Sequence, residues 1–252
     1  MKINKNITVL LITLFLFFSC NDEDANDCFQ KAGNMIKEEF VLADFEKIIV
    51  YNGIELYIQE SEDEKIIVET GQNLMPEIVL KVKNNQLEII DNNKCNFVRD
   101  YNITKVYLYK KNITQIRNSS AAAVHSIGVL NYPNLDLISE NHQSSYLNSG
   151  DFNLMVNTNN LSLLANGPSN HKISGTANNL RIHLAGSNPR FNGENLIAEN
   201  AYLFARSTND ILLKTNNEVS GNLYSTGDVV LYKKPNTINL NTHYTGKVIH
   251  NY

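Results

Sequence analysis

The chain has 252 residues, 22 Lys and Arg against 26 Asp and Glu, a net charge of −4 and no tryptophan. An acidic balance without a Lys/Arg cluster argues against nucleic acid as a partner, because phosphate binding needs a basic face. The length is enough for one all-β domain with a sizeable core.

Lys2 and Lys5 precede an apolar run from Ile7 to Phe18. Its length suits a secretory signal and falls short of the ~20 residues of a spanning helix. The run ends in Phe17-Phe18-Ser19-Cys20. That ending resembles a bacterial lipobox, in which cleavage before the cysteine leaves it as the lipidated first residue. Residues 1–19 therefore read as a lipoprotein signal peptide and Cys20 as the lipid anchor, the alternative being an ordinary signal peptide cut elsewhere. Acyl chains supply ~0.8 kcal/mol per buried methylene, so several on one cysteine anchor stably. Asn21-Asp22-Glu23-Asp24 follows at once. It resembles the acidic address that sends lipoproteins to the outer face in some Gram-negative bacteria. The expectation is an outer-membrane lipoprotein exposed at the cell surface, with the periplasmic face as the alternative. Loss of residues 1–19 removes two lysines and no acid, leaving 20 basic against 26 acidic groups.

Residues 20–39 read as an acidic tether, with room for a short helical turn at most. Cys28 and Cys95 are the remaining thiols. An even pair in an exported chain suggests a disulfide stapling the tether to the body, against two unpaired buried thiols as the alternative. The single domain is expected over 40–252. Within it, 40–110 holds N-terminal strands, 111–235 repeats, and 236–252 a last strand.

From Phe40 the sequence alternates. Phe45–Tyr51, Ile54–Glu60, Lys65–Thr70, Ile78–Lys83, Gln86–Ile90 and Ile103–Tyr109 are short, rich in β-branched and aromatic residues, and apolar at every second position. They read as strands separated by turn-formers. Asn84-Asn85 predicts a tight hairpin, since asparagine tolerates the positive φ of a two-residue turn.

The second half repeats. Ala165, Ala185, Ala205 and Ser225 recur at a spacing of about 20 residues, preceded by Leu164, Leu184, Phe204 and Tyr224. Repeats that short are β-solenoid turns, because helix-pair repeats need ~34 residues. Stacking would place Leu164, Leu184, Phe204 and Tyr224 in one core ladder. The 39 asparagines against 12 glycines fit the same picture. Asparagine visits the left-handed region more readily than most residues, and stacked amides can bond between turns.

The stretches FEKIIVYNGIELYIQE, NLMPEIVLKVKNNQLEI and NKCNFVRDYNITKVYLY, followed by Gly/Ser/Asn-punctuated turns, resemble the GIN-domain family over about residues 40–235. Its members are described as auto-transporter adhesin heads and are often surface lipoproteins. The resemblance implies a single-domain, right-handed β-helix-like solenoid, with the N-terminal strands and hairpins packed at one end. It implies no catalytic site.

The six histidines form no H-x-H, H-E-x-x-H or C-x-x-C ligand set, and no G-x-S-x-G elbow occurs. No cofactor is implied. His183 and Arg181 alternate with Leu and Ile and should point outward. A carbohydrate-active β-helix enzyme would need convergent carboxylates. The candidates are Asp151, Glu194, Glu199, Asp210 and Asp228, with Arg206 and Lys214. At a strict period of 20, Asn170, Arg190, Asp210 and Val230 would form one mixed, solvated ladder. Tyr132, Tyr146, Tyr202, Tyr224, Tyr232 and Tyr244 are expected mainly in the core. If several face outward together, they would offer platforms for a sugar or a protein. The resulting reading is an envelope-anchored, non-catalytic, adhesin-like or structural module, bound to the membrane by its lipid and recognising a neutral glycan or a protein surface. A carbohydrate-active enzyme and an envelope lipid- or glycan-binding protein are the alternatives.

Overall fold

The protein is all-β with almost no helix, and its strands form one strongly curled sheet. The computed structural model describes residues 28–51, 53–93, 96–100, 103–141 and 147–252. The expected signal peptide, Cys20, Cys95 and Tyr146 lie outside the described residues. In chain order the strands are β1 (Met35–Phe40), β2 (Lys47–Tyr51), β3 (Glu55–Glu60), β4 (Lys65–Gly71), β5 (Ile78–Lys83), β6 (Gln86–Asp91), β7 (Lys105–Lys110), β8 (Gln115–Ser119) and β9 (Val124–Leu130). There follow β10 (Asn134–Ser139), β11 (Phe152–Ala165), β12 (Asn170–Leu184), β13 (Arg190–Ala205), β14 (Ile211–Leu223), β15 (Val229–Leu231), β16 (Thr237–Thr242) and β17 (Val248–His250).

The expected N-terminal strands are all present. Asn84 and Asn85 have φ of 52° and 61°, and they close the antiparallel β5–β6 hairpin. Strand β4 pairs antiparallel with both β1 and β7. The tether read over residues 20–39 therefore ends earlier than its sequence suggests. Met35–Phe40 is a strand, with Ile36 and Phe40 packed on the core. Lys37, Glu38 and Glu39 hide it from composition, but main-chain pairing is indifferent to side-chain polarity.

The rest of the sheet is parallel and runs in two series. One passes from β6 through β2, β8 and β10 into the second halves of β11 to β14, and ends on β16. The other passes from β7 through β3 and β9 into the first halves of β11 to β14, and ends on β15 and β17. Between the two series lies one core, filled by inward columns such as Leu137, Leu163, Ile182 and Leu203, or Phe152, His171, Phe191, Ile211 and Val229. At the N-terminal end the buried Lys110 ammonium bonds Asp44 Oδ1 at 2.6 Å and also Glu64, and sits 5.2 Å from the Phe45 ring centroid.

The register corrects the sequence reading by one residue. Asparagines paired between turns are 26, 19, 21, 17 and 19 residues apart, so the period of 20 is only an average. Leu184 stacks with Ala165, Ala205 and Leu223, whereas Leu164 aligns with His183 and Phe204 on the outer side. Leu164 and Phe204 are half-buried and Tyr224 is exposed. Because side chains alternate along a strand, a slip of one residue exchanges inside for outside. Bulges at Lys172/Gly175, Asn192/Ile197 and Ala198/Asn200 absorb the irregular spacing.

Two glycines permit the close approach of adjacent strands. Gly175 and Gly221 have φ of +104° and +128°, and a Cβ on either would lie 2.0 Å from a carbonyl oxygen, of Val156 and Leu203 respectively. Gly221→Ala should therefore destabilise the protein by about 2 kcal/mol or more, combining strained φ with backbone displacement. Gly128→Ala serves as the control, since its φ is +76° but no heavy atom lies within 4 Å of its Cβ position. Chemical denaturation should rank Gly221→Ala as the more damaging.

Candidate ligand-binding face

The outer side of the first parallel series is the most differentiated surface of the molecule. Its edge is an asparagine ladder. Asn160 Nδ2 donates to Asn134 Oδ1 (2.7 Å), Asn179 to Asn160 (3.0 Å), Asn200 to Asn179 (3.3 Å), Asn217 to Asn200 (2.8 Å) and Asn236 to Asn217 (3.3 Å). Each amide has a further N–H and lone pair to offer. Strand spacing repeats these groups every ~4.8 Å.

Beside the ladder runs the column Asp136, Ser162, Arg181, Tyr202 and Ser220. The ladder and this column line a groove of about 470 Å³. The Arg181 guanidinium lies 5.5 Å from the Tyr202 ring centroid. Tyr202 is 44% exposed and has the small Ser220 as its neighbour on the next strand.

The next column carries Leu164, His183, Phe204 and Asn222. His183 stacks on Phe204 (4.3 Å), Phe204 contacts Tyr224 (5.2 Å), and Tyr224 stacks on His243 (4.4 Å). Arg206 lies 5.4 Å from the Phe204 centroid and 5.8 Å from that of Tyr224. These rings spend their faces on one another, so they stiffen the surface and present their edges. Burial lowers the pKa of His183, Glu140 opposes the shift, and Arg206 and Arg181 reinforce it. His183 is therefore a neutral hydrogen-bonding group at pH 7.

The residues singled out in the sequence divide between this face and elsewhere. Arg181 and His183 point outward as expected. Of the tyrosines, Tyr132 is fully buried, whereas Tyr202, Tyr224 and Tyr244 are exposed; the expectation of mainly core tyrosines gives way because the real register moves Tyr202 and Tyr224 outside. Arg206 joins the face. Four of the carboxylates, those of Asp151, Asp210, Asp228 and Glu199, accept hydrogen bonds across neighbouring strands. Asp151 accepts from the Asn170 N–H (2.6 Å), Asp210 from the Asp228 N–H (3.0 Å) and Asp228 from the Lys247 N–H (2.8 Å). Asp228, not Val230, thus follows Asp210 in that outer column. Glu199 accepts from Asn216 Nδ2, and the Glu194 N–H donates to Asn192 Oδ1. Lys214 aligns with Ile197. Among the described residues no group of three or more His, Cys, Asp or Glu is placed to hold a metal ion.

Cys28 is disulfide-bonded. Its segment lies along 96–99: the Phe97 N–H donates to the Cys28 carbonyl (3.0 Å), Arg99 Nη1 donates to the Gln30 carbonyl (3.1 Å), and the Phe29 and Phe97 rings are 5.8 Å apart.

An all-β chain with paired turns, a filled core and one long patterned outer face belongs among proteins whose fold presents a surface. Residues 44–235 match the family described as "Putative auto-transporter adhesin, head GIN domain", and the chain belongs to that family. Among solved structures, it is similar to an adhesin so named, as putative, from Bacteroides fragilis (19% identity, TM-score 0.77, covering 87% of this chain and 99% of that one). It is also similar to one from Parabacteroides distasonis named as a lipid-binding protein, again as putative (15% identity, TM-score 0.60, 86% and 97%). These likenesses show the fold. No curated protein matches the chain.

Proposed function

We propose that this protein is an outer-membrane lipoprotein, held by acylated Cys20 and facing outward, whose right-handed β-helix-like solenoid serves as a non-catalytic, adhesin-like binding module. The parallel pairing at offsets averaging about 20 residues supports the solenoid. The observation that carries the function is the outer face: an amide ladder, a groove and a guanidinium-braced aromatic cluster extend over several turns. Of the carboxylates that an enzyme would require, Asp151, Asp210, Asp228 and Glu199 already accept hydrogen bonds across neighbouring strands. The family's description as adhesin heads points the same way. A lipid-carrier role, raised by the name of one solved relative, draws no support from a core filled by Leu, Ile and Phe columns.

The anchor end also fits. Strand β1, next after the tether, is paired on β4 at the N-terminal end of the sheet, which leaves the patterned face free along the later turns. We propose Cys95 as the partner of Cys28, since its neighbours 96–99 lie against 28–30.

The test is to treat intact cells with a protease that cannot cross the outer membrane, alongside labelling with a palmitate analogue. Surface digestion and a labelled wild type, with an unlabelled and released Cys20→Ala, are expected. Protection from the protease overturns the outward address, and an unlabelled wild type overturns the anchor. Release of sugar fragments by the pure protein, abolished by Glu199→Gln or Asp210→Asn, would replace the binding module with an enzyme.

A further inference from the structure

The outer face carries a charge pattern that the whole-chain balance conceals. Arg181 and Arg206 are both exposed, and neither has a carboxylate partner among the described residues. Each is instead held by aromatic rings, Arg181 by Tyr202 and Arg206 by Phe204 and Tyr224. Stacking orders a guanidinium while leaving its in-plane N–H groups free, and the planar fork matches a carboxylate. Arg181 lines the groove, and Arg206 sits beyond its wall on the neighbouring aromatic column. The charge of Arg181 acts within the groove, because the net charge of distant groups is screened beyond ~8 Å at physiological salt.

The groove wall facing Arg181 is polar but uncharged. Asn160, Asn179 and Asn200 offer amide donors and acceptors in register with Ser162, Arg181 and Tyr202. Asp136 lies two strands from Arg181 in the same column, about 10 Å away at ~4.8 Å per strand. Negative charge is thus favoured at the middle of the groove, beside Arg181, and opposed at its Asp136 end. A ligand that suits this has one acidic group, several hydroxyls, and a ring to lie against the open side of Tyr202.

We propose that the groove binds a carboxylate-bearing glycan, with its carboxylate on the Arg181 fork, Arg206 as the second positive charge, and its hydroxyls on the asparagine ladder. The proposal rests on the reading of this face as the ligand-binding one, and it replaces the neutral glycan expected from net charge. An acidic peptide fits less well. Extended peptides gain affinity by pairing with a free strand edge, whereas the strands that form this groove already pair with neighbours on both sides.

The test uses the full chain in mild detergent and a panel of polygalacturonate, alginate, hyaluronate and polysialic acid, each beside its carboxyl-reduced form, with poly-glutamate as the peptide probe. At least one acidic glycan should bind, and reducing its carboxyl groups should weaken it tenfold or more. Arg181→Gln should lose a similar factor, Arg181→Lys should recover only part of it, and Arg206→Gln should lose severalfold. Melting curves of these exposed-site variants should match wild type. Equal affinity for a glycan and its carboxyl-reduced form, with binding still lost in Tyr202→Ala, overturns the acidic class and leaves the binding face intact. Tighter binding of poly-glutamate overturns the glycan. Binding that none of these substitutions changes places the ligand elsewhere and overturns both, and failure to bind any of the panel overturns the proposal.

Discussion

Phe191→Ala should cost ~3–5 kcal/mol of stability, while Phe204→Ala should cost no more than about 1–2 kcal/mol. The two phenylalanines lie on one strand, and composition does not distinguish them. Phe191 is fully buried in a column between His171 and Ile211, so truncation leaves a cavity that the paired strands on both sides cannot close. Phe204 faces outward and loses ring contacts with His183 and Tyr224 plus the cover of Arg206, in a site water can refill. Urea unfolding followed by circular dichroism measures both. A larger loss for Phe204→Ala than for Phe191→Ala would restore the evenly spaced ladder and displace the register described above.

Acid should destabilise the protein strongly between pH 6.5 and about 3, and His171→Leu should remove much of that sensitivity. His171 is buried in the same column, tilted against Phe152 at 5.5 Å. Its Nε2 meets Ser169 Oγ at 2.9 Å, and its Nδ1 has no partner among the described residues. Burial pushes its pKa down to about 3. The folded protein therefore refuses a proton that the unfolded chain accepts near pH 6.5. The stability associated with a neutral His171 is complete above pH 6.5 and is lost as pH falls toward 3, a loss on the order of 4 kcal/mol. Leucine keeps the volume and cannot charge. The measurement is the difference in unfolding free energy between pH 7 and pH 4 for each protein, which cancels the carboxylates common to both. Equal differences would show that His171 opens to solvent.

The Asn84-Asn85 turn shows how local chemistry can be read directly. Two consecutive asparagines between alternating strands have few other uses, and both adopt the positive φ expected. The inter-turn amide ladder is legible for a similar reason, since asparagine abundance with little glycine points to bends and stacked amides. Strand β1 was hidden because its charged residues pair through the backbone, which carries no side-chain signature. The ladder of Leu164, Leu184, Phe204 and Tyr224 fails for the opposite reason. Similar residues at nearly even spacing look equivalent, yet bulges and unequal turns move them to different sides.

Sequence alone therefore determined the class of fold, the family, the N-terminal strands and the outward position of Arg181 and His183, because alternation and turn chemistry act over a few residues. Only the tertiary structure decided which residues form the face. Arg181 meets Tyr202 and Arg206 meets Tyr224 across separations of 21 and 18 residues. Those meetings depend on registers set by bulges, and a shift of one residue along a strand exchanges the core for the surface.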